Sequence, residues 1–74
     1  MQDIFINTPS INLDQLLKWA GIVDTGGQVK LLIGENLIKV NGIIISERRK
    51  KICPGDIIEI QDIGVWKAVK QVDS

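Results

Sequence analysis

The sequence predicts an α+β fold, with two helices packed on a small, mostly antiparallel sheet of four or five strands. Three observations predict it. Apolar residues recur at helical spacing from Leu13 to Ala20 and again from Val29 to Ile33. Branched aliphatic residues alternate with polar ones around Asn41-Gly42 and again after Pro54-Gly55-Asp56. The chain has 74 residues, room for one domain, and 45% of them are hydrophobic, enough for a packed core in a fold of this size.

Residues 3 to 6 predict a short strand, ended by the turn cluster Asn7-Thr8-Pro9-Ser10. Phe5 makes it apolar on both sides, so it is either buried on both faces or covered on one by the helices. The first helix is expected to open at Asn12. The Asn12 side chain would accept from free backbone N–H groups, and Gln15 would complete a capping box. Leu13, Leu16, Leu17 and Ala20 form one apolar stripe, and Gly21 is the expected stop. Asp14 suits the positive end of the helix dipole and stands one turn from Lys18.

Thr25 is the expected N-cap of the second helix, with Gln28 three residues on. Val29, Leu32 and Ile33 point inward and Lys30 points elsewhere, while Gly34 to Asn36 end the helix. Asn41-Gly42 predicts a hairpin between residues 37–40 and 43–46, because a type I′ turn needs positive φ at both central positions. Lys39 then lies on the face opposite Ile38 and Val40. The run Arg48-Arg49-Lys50-Lys51 follows, and Pro54-Gly55-Asp56 makes a second tight turn before a strand carrying Ile58 and Ile60. Residues 62–64 turn the chain into a last strand over 65–71.

Several chemistries have no residues to work with. The chain has no histidine and one cysteine, Cys53, so neither the usual zinc sets nor an internal disulfide can form. No nucleophile, base and orienting group can be assembled, so no enzyme, cofactor, metal or small-molecule substrate is expected. No apolar run approaches the roughly 20 residues that span a bilayer, and the N-terminus lacks the pattern of a signal peptide. A soluble, cytoplasmic protein that makes no membrane contact is expected. The formal net charge is zero and the pI is near 6.1, which argues against a charge-driven coat for nucleic acid but not against a local patch.

The ordered set L-D-Q-L-L-K-W-A-G, T-G-G-Q-V-K, I-K-V-N-G and P-G-D-I-I-E-I resembles the S-four-type RNA-binding domain, whose helix-rich core is called the αL motif. The resemblance covers residues 11–61, taken as the core of a single RNA-binding domain over 1–74. Within the family the chain is similar to the short stand-alone bacterial members, which carry T-G-G-x-x-K and a basic tract before P-G-D. It departs at Asn12, where many members have arginine, and at Gly27, where longer relatives have the arginine of a Ser-Arg pair. Two commonly basic contact positions are thereby replaced. The resemblance implies a non-catalytic protein that binds structured ribosomal RNA, on a ribosomal subunit or its precursor.

The residues expected to meet RNA are Lys18, Thr25, Gly26, Gly27, Lys30, Lys39, Arg48, Arg49, Lys50 and Lys51. Arginine and lysine release counterions from phosphates, and the arginine fork grips a phosphate or stacks on a base. By itself the run reads rather as a solvated loop that keeps a hairpin soluble, and beside αL-type helices it reads as an RNA contact. Thr25-Gly26-Gly27 either lets an anion approach free backbone N–H groups or simply supplies a permissive turn. Trp19 could stack on a base, but its large area favours packing against the last strand, as for Trp66. With few aromatics in the chain, double-stranded or folded RNA is the expected class. The rival reading is a protein-interaction or dimerisation module that uses surplus exposed isoleucines at Ile43 and Ile45.

Overall fold

A computed structural model describes residues 1–72. In chain order the elements are β1 (Gln2–Ile6), β2 (Ile11–Asn12), α1 (Leu13–Trp19), α2 (Gly26–Gly34), β3 (Ile38–Val40), β4 (Ile43–Ile44), β5 (Lys51–Ile52), β6 (Ile57–Ile60) and β7 (Gly64–Lys70). Five strands form one sheet in the order β1-β7-β6-β3-β4. All its neighbours run antiparallel except β1 and β7, which pair in parallel with Ile4 opposite Ala68. The α+β architecture expected from the pattern is present.

Both helices end in the same way. The Ile22 N–H donates to the Leu17 carbonyl (2.9 Å) and the Gly21 N–H to Lys18 (3.1 Å), with Gly21 at φ +73°. In α2 the Leu37 and Asn36 N–H groups donate to Leu32 and Ile33 (3.0 Å each), with Asn36 at φ +59°. This paired bonding around one left-handed residue satisfies carbonyls that the helix leaves free. The first helix is shorter than its apolar stripe, because Ala20 is an exposed C-cap rather than part of the core.

One core joins the layers. Leu13, Leu16, Leu17 and Val29 from the helices meet Ile4, Ile6, Ile38, Val40, Ile58, Ile60 and Ala68 from the sheet. Strand alternation therefore sets a helix-covered face and an outer face. Phe5 lies on the outer face and is exposed, so β1 is covered on one side only. Ile43 and Ile44 are the exposed isoleucines of the hairpin, whereas Ile45 is buried, contrary to the expectation for Ile45. Strand β4 stops at Ile44, but the pairing continues by one bond, from the Ile45 N–H to the Ile38 carbonyl (3.0 Å), which sets Ile45 beside the buried Ile38.

Candidate nucleic-acid interface

The basic run sits against α1. A second, two-stranded sheet pairs β2 with β5, setting Asn12 opposite Lys51 and Ile11 opposite the buried Ile52. That pairing carries the preceding turn to the start of α1, where the Leu13 N–H donates to the Lys50 carbonyl (2.8 Å) and the Asp14 N–H to the Arg48 carbonyl (3.0 Å). Asn12 holds the N-cap position with an extended backbone, but its side chain makes no cap bond, so the expected capping box does not form there. Tertiary carbonyls take its place, and the Gln15 N–H turns to the Asp14 carboxylate (2.8 Å).

With its backbone held this way, the run is a turn closed by the Lys50 N–H on the Glu47 carbonyl (3.3 Å). Arg48, Arg49, Lys50 and Lys51 are all exposed. None of them takes part in a side-chain hydrogen bond among the described residues. Arg48 lines a shallow cleft of about 340 Å³ together with Lys30, Ile33 and Ser46. Gly26, Lys30 and Ile33 fall at i, i+4 and i+7 on α2, so one helix face runs from its first residue to this cleft. Lys18 is exposed one turn beyond Asp14, the residue bonded to Arg48.

The start of α2 is capped locally, as expected. Thr25 Oγ1 accepts from the Gln28 N–H (3.4 Å), and Gln28 Oε1 accepts from the Asp24 N–H (2.6 Å). Gly26 and Gly27 occupy the first two helical positions, whose N–H groups have no partner within the helix. Neither glycine has positive φ. A Cβ at Gly26 would meet nothing within 4 Å, and one at Gly27 only Thr25 Oγ1 at 3.6 Å. The fold itself therefore does not require glycine at either position.

Lys39 is placed apart from the others. It lies on the outer sheet face, opposite Ile44 on one neighbour and Glu59 on the other, with the sheet between it and the helices. The signature turns are also explained by the fold. Asp56 Oδ1 accepts from Asn41 Nδ2 (3.0 Å), Asp56 Oδ2 from the Cys53 N–H (2.8 Å), and Asn41 Oδ1 from the Ile57 N–H (2.9 Å). Asn41 and Gly42 have φ of +53° and +82°, as a type I′ turn demands.

The comparison with known families matches this architecture, since the model of the S4 domain covers residues 4–66. The chain belongs to the S4 domain family. This S4 domain is 35% identical over 66 residues to a Bacillus subtilis protein named probable ribosome maturation protein RlbA, covering 89% of this chain and 93% of that one. It is 36% identical over 50 residues to an Escherichia coli protein named putative RNA-binding protein YbcJ, covering 68% of this chain and 71% of that one.

Two features of this S4 domain escaped the sequence reading. One is the β2–β5 pair, because two-residue strands leave no periodic signal. The other is the exposure of Trp19, which is 69% accessible instead of packed on the last strand. Helix α1 ends at Trp19, and its buried face is already filled by leucines at 13, 16 and 17. Trp66 does pack against the core, and its Nε1–H donates to Gln2 Oε1 (3.2 Å).

Proposed function

We propose that this S4 domain is a non-catalytic RNA-binding protein of the cytoplasm, acting as one domain over the whole chain. Its target is structured ribosomal RNA on a ribosomal subunit or its precursor. The names of the two relatives, one for ribosome maturation and one for RNA binding, support that direction. The observation that carries the reading is the bonding of the Arg48 and Lys50 carbonyls to the first N–H groups of α1. It holds a four-cation segment rigidly against the helix pair and leaves its side chains facing water, which lowers the entropic cost of gripping a backbone. Arg48 and Lys30 on one cleft, with the bare Gly26 and Gly27 amides one turn before Lys30 and with Lys18 one turn beyond Asp14, would follow phosphates by charge and backbone donation. The helix of a paired RNA offers such a regular run of phosphates.

The test is salt dependence. Neutralising about four phosphates gives a slope near −3 for the logarithm of affinity against the logarithm of salt concentration. Alanine at 48, 49, 50 and 51 together should flatten that slope and leave the circular dichroism spectrum unchanged. A fourfold variant that keeps the wild-type slope on ribosomal RNA would remove the tract from the interface.

A second reading, a protein contact, is favoured on the β4 side, where Ile43 and Ile44 are exposed at a sheet edge. Sedimentation of the purified protein with and without RNA separates the two, since a dimer would sediment faster in the absence of RNA.

A further inference from the structure

The two tryptophans and the one phenylalanine are the only aromatic residues in the chain. All three line one surface cleft of about 330 Å³ where β1, at the edge of the sheet, meets the end of α1. Gln2 and Asp3 complete its polar wall. Trp19 and Phe5 are 69% and 55% exposed, although a chain this small needs its large apolar side chains for the core. Trp66 is held at the cleft by its bond to Gln2. Three lysines stand at neighbouring positions outside the cleft lining. Lys18 precedes Trp19 in α1, Lys67 is the cross-strand partner of Asp3, and Lys70 is that of Ile6. All three lysines are exposed, against the single carboxylate of Asp3 in the cleft.

We propose that this cleft receives an unpaired base of the RNA whose phosphates the basic face holds, a reading that rests on the function proposed above. Flat π surfaces, with lysines at the adjacent position of α1 and on the neighbouring strand β7, match a polymer that carries both planar groups and negative charge, as single-stranded nucleic acid does. The Asp3 carboxylate disfavours a phosphate inside the cleft but can accept from the exocyclic amino group of a base. Continuity supports the same occupant. Helix α1, about 10 Å long, carries the basic turn at its first residue and Trp19 at its last, so one RNA can reach both. The domain would then favour a paired stem next to an unpaired nucleotide over a stem alone.

The experiment compares a fully paired RNA hairpin with the same hairpin carrying a single-stranded overhang that contains 2-aminopurine. The wild-type protein should bind the overhang RNA more tightly by roughly tenfold, the scale of one stacked base, and quench the 2-aminopurine fluorescence. Trp19→Ala and Phe5→Ala should each reduce that preference and the quenching, while binding to the paired hairpin keeps its affinity and salt slope. Trp19→Phe should restore part of both. Because both side chains are mostly in water, the truncations should leave the circular dichroism spectrum and melting temperature near those of the wild type. Equal binding of the two RNAs by the wild type, or quenching that survives Trp19→Ala, overturns the proposal and leaves the basic-face reading standing. Loss of a protein partner in Trp19→Ala with RNA binding intact also overturns it, by assigning the cleft to protein. Absence of hairpin binding by the wild type would instead sink the basic-face reading, and the quenching would still decide the cleft.

Discussion

Two turn regions of this domain do the same conformational job with opposite parts of their residues. At Asn41-Gly42 and Pro54-Gly55-Asp56, side chains do the holding. Asn41 and Asp56 bond each other and the amides of Cys53 and Ile57, locking the β3–β4 hairpin to the turn before β6. At Glu47–Lys51 the backbone does it. The Arg48 and Lys50 carbonyls cap α1, and Lys51 pairs with Asn12 in the small sheet. A turn held by its side chains has none left to offer a partner. A turn held by its backbone can present every side chain to solvent. Both regions contribute to the resemblance with the S4 family, yet the first explains the fold and the second is fit for binding.

Mutations can break or sharpen that contrast. The largest effect is expected on affinity from alanine at Arg48, Arg49, Lys50 and Lys51 together. Between 50 and 200 mM salt the wild type should lose roughly fiftyfold in RNA affinity, following a slope near −3, and the variant only a few-fold. Filter binding across that range measures both, and the unfolding midpoint of the variant in urea should match the wild type.

Asp56→Ala should do the reverse. It removes two hydrogen bonds to a carboxylate and leaves Asn41 half-partnered, at a cost of about 2 kcal/mol in urea unfolding. RNA affinity, corrected for the folded fraction, should stay within about twofold. Weak RNA binding by fully folded Asp56→Ala protein would erase the division between the two turns.

A smaller and more discriminating effect is expected at the head of α2. Gly26→Ala and Gly27→Ala meet no steric obstacle, so each should stabilise the domain by about 0.5 kcal/mol through a less flexible unfolded chain. If RNA approaches those amides closely, the same methyl groups should weaken binding. Opposite signs in thermal melting and RNA titration mark a contact, whereas better melting with unchanged affinity marks a plain turn. The smallest effect belongs to Lys39→Ala. Its place on the outer sheet face beside Glu59 predicts a change in RNA affinity under about twofold. A loss of tenfold there would put the RNA on the other side of the sheet.

Much of this was legible along the chain because the signals are local. Thr25 with Gln28, Gly21, Asn36 and the backbone of Asn41-Gly42 act within about five residues of where they stand, and each does the expected job. The expected cap at Asn12 did not form, since a local pattern has no knowledge of carbonyls arriving from residues 48 and 50. Lys39 and Lys30 look alike in sequence, each a lysine between apolar neighbours. The face they occupy depends on which side of the sheet the helices cover. Ile45 was expected at the surface together with Ile43, but the β3–β4 register sets it beside Ile38, on the face that the helices cover.

By itself the sequence determined the two helices, the type I′ hairpin and the aliphatic core. Each of these follows from backbone preferences and side-chain spacing over a few residues. Only the tertiary structure decided that the basic turn caps α1, that Asn41 and Asp56 meet, that Lys39 faces away and that three distant aromatics share one cleft. These depend on how segments far apart in the chain come together, and that is set by burying one common core rather than by any local preference.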